Sequence, residues 1–308
     1  MPAEIFGEQY EFLPRTQILT FEEIERVART VAGLGVAKIR ITGGEPLLRR
    51  KIESLIHSLA DIPGIKDLTL TTNGVLIKDT ADRLRAAGLN RITISLDSLD
   101  PEVFRAMAGR DVFPEVVLAA IDTAQIAGLT PIKINAVIKR GVNDHTLVDL
   151  ARHFHGTGHI VRFIEYMDVG NRNDWELDHV VPADEIVSRI HDELPLEPVD
   201  ANYPGEVARR YRYVDGGGEI GVIASVTQPF CGDCTRLRLS TDGRLFTCLF
   251  ATSGTDLRDV LRTGASDQEL KHKIVSVWSG RNDRYSEQRT DKTVMAPLRK
   301  VEMYQIGG

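Results

Sequence analysis

Gly35-Val36-Ala37-Lys38-Ile39-Arg40-Ile41 is a helix stop, a short loop and a strand, and the chain repeats it. Gly88-Leu89-Asn90-Arg91-Ile92-Thr93-Ile94 and Gly128-Leu129-Thr130-Pro131-Ile132-Lys133-Ile134 align with it position by position. Each copy closes a helix on glycine, which enters the left-handed region freely, and opens a strand of the form Ile-x-Ile. Before the first copy, Thr20-Phe21-Glu22-Glu23 has the spacing of a capping box, and Ile24, Val27, Ala28, Val31 and Leu34 follow at helical period. Strands at 68–72 and 159–167 continue the alternation, with helices near 50–60, 78–87, 114–127 and 144–155. Strand–helix units joined by right-handed crossovers give a parallel sheet, most simply a barrel or part of one.

Within such strands the two isoleucines face the outer helices, so the residue between them faces inward. That residue is Arg40, Thr93 and Lys133 in the three copies, and Arg162 takes the same role between Val161 and Phe163. An inner wall of Arg40, Lys133 and Arg162 is costly unless an anion enters it. The carboxyl ends of the strands carry Thr42-Gly43-Gly44-Glu45-Pro46, Thr71-Thr72-Asn73-Gly74 and Ser95-Leu96-Asp97, with Asn135 inside the fourth strand. Polar and glycine residues at those ends are where barrel active sites are built. His153, His155 and His159 straddle a helix end and read as capping or surface residues rather than metal ligands.

Beyond residue 180 the period changes. A short helix at 184–190, a proline-containing connector at 194–205 and strands within 207–226 lead to Cys231-Gly232-Asp233-Cys234-Thr235-Arg236-Leu237-Arg238, and Thr241-Asp242-Gly243 turns a hairpin before Cys248. All three cysteines of the chain lie in this window. Structural zinc wants four tight ligands, and the nearest histidine, His272, is distant; a 4Fe–4S cube can be held by three thiolates, leaving one iron open. The cube is the preferred reading over zinc or a disulfide. Arg236 and Arg238, one residue apart, would face one side of an extended strand and form an anion site beside it. Helices near 255–262 and 267–278 follow, then an arginine-rich tail ending in Gly307-Gly308. Two terminal glycines usually fray, although with no side chains they also suit a narrow channel.

A net charge of -6 argues against a general nucleic-acid surface. Nothing resembles a membrane span or, at Met1-Pro2-Ala3-Glu4, a signal peptide, so the expectation is a cytoplasmic protein with no membrane partner.

The motifs together resemble the GTP 3′,8-cyclase family, radical S-adenosylmethionine enzymes that open molybdenum cofactor biosynthesis. The resemblance rests on Gly43-Gly44-Glu45-Pro46, Thr71-Thr72-Asn73-Gly74, Ser95-Leu96-Asp97, Arg162 to Asn171, Cys231-x2-Cys234-x-Arg236-x-Arg238, Cys248 and the diglycine ending. It implies a partial (β/α)6-type TIM barrel over residues 1–180 with its first strand missing. It also implies a C-terminal α+β extension, 181–308, that carries an Fe–S site and closes the barrel. Cys231, Cys234 and Cys248 would hold a 4Fe–4S cluster. Gly44, Ser95 and Met167 would contact S-adenosylmethionine. Arg40, Thr71, Lys133, Arg236, Leu237 and Arg238 would contact GTP, and Arg162 would be catalytic, close to the reacting ribose. The activity implied is a lyase that rearranges GTP to (8S)-3′,8-cyclo-7,8-dihydroguanosine 5′-triphosphate. The expected partners are cyclic pyranopterin monophosphate synthase downstream, an electron donor such as flavodoxin, and a second copy of the chain.

The resemblance fails at one place. The family holds a second 4Fe–4S cluster in a Cys-x3-Cys-x2-Cys loop followed by Met-Pro, and this chain begins at Met1-Pro2. The 308-residue form is therefore expected to be inactive until upstream codons are restored, a late start being preferred to a natural truncation. Two other readings stay open: a non-catalytic GTP-binding Fe–S protein, and a peptide-modifying radical enzyme with an auxiliary cluster, against which the inner cations argue.

Overall fold

The computed structural model describes residues 13–171, 175–289 and 300–307. Helix α1 (Phe21–Ala32) starts where Thr20 accepts from Glu23 N and the Glu23 side chain reaches back to Thr20 N, so two otherwise unpaired amides are satisfied reciprocally. Strands and helices then alternate: β1 (Lys38–Ile41), α2 (Ile52–Ala60), β2 (Asp67–Thr72), α3 (Ala81–Ala86) and β3 (Arg91–Ser95). They continue through α4 (Pro101–Ala108), α5 (Pro114–Ile126), β4 (Lys133–Ile138), α6 (Leu147–Phe154), β5 (Ile160–Glu165) and α7 (Ala183–His191). Helical period does not reveal α4, which announces itself only by its cap: Asp100 accepts from Glu102 N and Val103 N, and Pro101 takes the first helical position.

After α7 come β6 (Leu196–Val199), β7 (Arg209–Tyr213) and β8 (Glu219–Ile223). The connector expected at 194–205 thus contains a strand, with Pro198 in it. The order across the sheet is β1-β2-β3-β4-β5-β8-β7-β6. Pairing is parallel from β1 through β5 to β8, and β7 and β6 close the row antiparallel. Sheet pairing therefore crosses residue 180 without a break.

The two faces of this sheet differ completely. Leu68, Leu70, Ile92, Ile94, Ile134, Ala136, Val161, Phe163, Ile220 and Val222 are buried in one core with α2, α5, α6 and α7. Each fully buried aliphatic side chain of this kind contributes about 1.5–3 kcal/mol. Strand residues alternate, so the opposite face carries Arg40, Thr69, Thr71, Arg91, Thr93, Lys133, Asn135 and Arg162.

The remainder is β9 (Arg238–Leu239), β10 (Arg244–Phe246), β11 (Thr255–Asp256), α8 (Arg258–Arg262), α9 (Asp267–Ser279) and α10 (Tyr285–Gln288). The helix expected from 255 begins only at Arg258, because Thr255 and Asp256 pair with β10. A second core of Leu19, Val27, Leu245, Leu257, Leu261, Leu270 and Ile274 joins this part to α1. Arg262 and Arg26 reinforce the junction by donating to Glu23 at 2.7 Å and Asp267 at 2.8 Å. Helix α1 is thus shared by both cores. No helix among the described residues is long and apolar enough to cross a membrane.

Candidate functional site

The register sets the cations of the polar face side by side. Arg40 lies opposite Thr69, Thr69 opposite Arg91, Thr93 opposite Lys133, and Asn135 opposite Arg162. Burial lowers the pKa of Arg40, and Arg91 and Arg236 add repulsion. Burial, Arg162 and Arg91 push Lys133 down to about 8. Arg162 is 6% exposed, and burial with repulsion from Arg40 and Arg91 pushes it to about 9, so it stays protonated at neutral pH. Arg40 Nη1 donates to Thr71 Oγ1 at 3.2 Å, and Arg162 Nη2 reaches Thr93 Oγ1 at 3.4 Å. Neither bond supplies a counter-charge. Thr69 Oγ1, Asn135 Oδ1 and Arg162 Nε are buried with no hydrogen-bond partner, an expensive arrangement for a face meant to stay dry and empty.

The strand-end loops are tied together by a residue not singled out above. Glu45 accepts from Leu47 N at 3.1 Å, Thr72 Oγ1 at 2.8 Å and Asn73 N at 2.9 Å, so it binds the loop after β1 to the loop after β2. Burial raises its pKa although these donors oppose the shift. Gly43 and Gly44 stand in the bend before it, with Gly43 at φ +138°. Ser95 ends β3. Burial pushes the Asp97 carboxyl up to about 6 against a 2.8 Å bond from Val137 N. Met167 leaves β5 two residues after Glu165, which accepts from Ala183 N, Val226 N and Thr227 N at 2.7–2.9 Å. Gly44, Ser95 and Met167 thus occupy the same end of the sheet.

At the cysteine loop, Cys234 N donates to Cys231 O at 3.2 Å. Arg236 Nε approaches Cys234 Sγ at 3.3 Å, and Phe250 N donates to Cys248 Sγ at 3.4 Å. Burial alone would raise the Cys234 pKa, but Arg236 outweighs it and lowers the thiol; burial raises Cys248, and the other two cysteines oppose its ionisation. Among the described residues, no three His, Cys, Asp or Glu side chains converge tightly enough to hold a single metal ion.

The expectation that Arg236 and Arg238 sit together on one strand needs correction. Only Arg238 is in β9. Arg236 turns to Cys234 and lies over the Phe230 ring at 5.1 Å, whereas Arg238 donates to the Ile306 and Gly307 carbonyls. Burial and repulsion from Arg236 push Arg238 to about 10. The Leu237 side chain, half-buried, packs on the second core.

The tail also departs from the usual expectation of fraying. Ile306 and Gly307 are buried, and a Cβ on Gly307 would stand 2.3 Å from Thr42 Cγ2 at the exit of β1. Gly307 adopts φ +71°, so glycine is required twice over, for conformation and for space. Gly308 lies outside the described residues, as do Met1-Pro2 and Arg299. The histidines do not cluster: His155 pairs with Asp215 at 3.0 Å, His153 edges Phe154, and His159, 8% exposed, packs under Phe154 instead of lying on the surface.

Comparison with known proteins places these features in a family. Residues 5–154 match the model of the Radical SAM superfamily, and residues 159–287 match that of Molybdenum Cofactor Synthesis C. The GTP 3′,8-cyclase of Acidothermus cellulolyticus is 52% identical, over all of this chain and 91% of its own length. That of Staphylococcus carnosus is 46% identical with the same coverage. Among solved structures, Streptococcus suis SuiB has a TM-score of 0.57 at 17% identity, covering 91% of this chain, which spans 65% of SuiB. Native anSMEcpe with bound AdoMet has a TM-score of 0.52 at 14% identity, covering 93% of this chain and 80% of that one. These two likenesses concern the fold. The near-complete coverage by relatives with about half their residues in common carries more, and the chain belongs to the GTP 3′,8-cyclase family of radical S-adenosylmethionine proteins in molybdenum cofactor biosynthesis.

Proposed function

We propose that the polar face of the sheet is the triphosphate site of a GTP 3′,8-cyclase, a lyase forming (8S)-3′,8-cyclo-7,8-dihydroguanosine 5′-triphosphate. The observation that carries this reading is the set of crowded cations, the buried Arg162 with the half-buried Arg40 and Lys133, beside polar atoms without partners. A triphosphate supplies the missing negative charge and acceptors in one ligand. The sheet then acts as a partial barrel. Residues 181–308 are its functional lid and cluster-bearing part, although β6, β7 and β8 belong to the same sheet.

In this reading Arg40, Lys133, Arg236 and Arg238 neutralise and orient the substrate, with Thr71 holding the Arg40 fork and the Leu237 backbone adding a contact. Arg162, the most enclosed of the inner cations, lies against the ribose. Gly44 offers bare backbone, Ser95 a hydroxyl and Met167 a contact to S-adenosylmethionine at the strand ends. Glu45 keeps their loops in register. Cys231, Cys234 and Cys248 suit a cube better than a single zinc ion, because a cube distributes its thiolates over separate irons. Donors to two of the three sulfurs, Arg236 Nε and Phe250 N, are the type that stabilise cluster thiolates. When bound, a cluster on these cysteines would supply an open iron for the purine base, and S-adenosylmethionine, given an electron by a further cluster, would supply the one-electron chemistry at the ribose.

An anaerobic titration tests the substrate. Affinity should fall at least about a hundredfold from GTP to guanosine as the charge-assisted contacts are removed. Equal affinities would end the reading. Iron analysis of the same preparation should give about four irons per chain.

Lys133 adds a pH signature. It titrates at about 8 in the fold against 10.5 for the ordinary group, so the unfolded chain holds more protons between those values. Ligand-free stability should therefore rise from pH 8 towards 10.5, while GTP affinity falls as the cation is lost. If Lys133→Met showed the same pH profile for GTP binding as the parent, another group would be responsible.

A further inference from the structure

Asp168, the residue after Met167, is 4% exposed. Three donors from the C-terminal segment converge on its carboxylate: Tyr285 Oη at 2.5 Å, Arg289 Nη2 at 2.6 Å and Lys300 Nζ at 2.8 Å. Lys300 Nζ also donates to the Asp168 carbonyl at 2.6 Å. Burial pushes this carboxyl up, but the bonds from Lys300 and Tyr285 and the charge of Arg289 outweigh it and hold the pKa below the ordinary value.

The bonds continue on both sides. Asn171 Nδ2 donates to Lys300 O at 2.6 Å and to Glu302 Oε1 at 3.0 Å, and Lys300 N donates back to Asn171 Oδ1 at 2.9 Å. A Cβ on Gly170 would stand 2.3 Å from Glu302 Oε2. On the opposite side Val301 N donates to Ala251 O at 2.9 Å. Tyr285 stacks on Phe250 with ring centroids 4.6 Å apart, and Lys300 lies 5.6 Å from the same ring. Phe250 N is the donor to Cys248 Sγ. Segment 300–302 is therefore bonded at once to the exit of β5 and to the loop that carries Cys248. Five residues further on, Gly307 O accepts from Arg238.

We propose that Asp168 is a positioning residue, a latch that fixes the C-terminal segment between the β5 exit and the Cys248 loop and thereby sets where the Gly307 carbonyl meets Arg238. The coupling to ligand rests on the proposed role of Arg238 in GTP binding. The physical reason for choosing Asp168 among the contacts is charge. Its carboxylate is the shared partner of two nearly buried cations, and an amide in its place would leave both facing a neutral group.

The test uses the full chain purified anaerobically with its cluster. In Asp168→Asn, backbone hydrogen exchange over residues 300–307 should accelerate at least about tenfold while exchange in β2 to β5 is unchanged, as expected for local opening. GTP affinity should weaken about tenfold with iron content unchanged. Lys300→Met should reproduce the exchange pattern in part, and the double variant should fall short of the sum of the two single effects, since the Asp168–Lys300 pair is lost only once. Unchanged tail exchange, acceleration spread evenly over the sheet, or a freed tail with unaltered GTP affinity overturns the proposal. If Arg238→Ala leaves GTP affinity untouched, the role given to Arg238 fails instead, and the exchange data alone judge the latch.

Discussion

Arg162→Met is expected to weaken GTP binding about a hundredfold and, in the same protein, to raise the melting temperature without ligand. Both effects come from one feature. Arg162 is nearly fully buried, bonded weakly to Thr93 Oγ1, and repelled by Arg40 and Arg91. Removing a charge-assisted fork from a phosphate or ribose contact forfeits about 1.5–3 kcal/mol per bond, which a hundredfold loss matches. Without ligand the same cation is a liability, and methionine fills similar volume with no charge to desolvate. A gain of about 1–2 kcal/mol would move the melting midpoint by about 2–6 °C. Differential scanning calorimetry and an anaerobic titration on one preparation check both. A variant that lost affinity and stability together would show Arg162 to be a structural residue.

Cys248→Ser is expected to drop bound iron from about four to below one per chain, because two thiolates with two residues between them cannot retain a cube alone. The open iron would go with it, so GTP affinity should fall even though every cation of the sheet remains. Arg236→Ala is the counterpart. It removes the Nε donor to Cys234 Sγ and the charge over Phe230 but no ligand, so iron should stay near four while GTP binding weakens. Iron retained in full by Cys248→Ser would remove that cysteine from the ligand set.

The strands were readable because alternation is a local property. Ile39-Arg40-Ile41, Ile92-Thr93-Ile94 and Ile132-Lys133-Ile134 each declare a two-sided strand, and three similar loops set them in one parallel sheet. Helix α4 is not legible from period, since its signal lies in Asp100 and Pro101 rather than in a periodic face. The strand inside the 194–205 connector was hidden by Pro198, which an edge strand tolerates. Glu45 stands in the Gly43-Gly44-Glu45-Pro46 motif, but its role in tying two loops together is not legible there. Its partners Thr72 and Asn73 are separated from it by a whole helix, and nothing local marks the bond.

Alternation alone assigns Arg40, Thr93, Lys133 and Arg162 to one face of the sheet, and short spacing alone gathers the three thiols at one hairpin, because strand geometry sends successive side chains to opposite sides and short spacings survive folding. What packing alone settles is that Arg236 bonds to Cys234 while Arg238 enters β9 and meets Gly307, that Gly307 is packed against Thr42, and that Asp168 gathers Tyr285, Arg289 and Lys300. Those contacts join residues more than a hundred positions apart or depend on where a strand begins. They exist once the sheet, the cysteine loop and the tail are packed together, and no local pattern of residue types encodes that meeting.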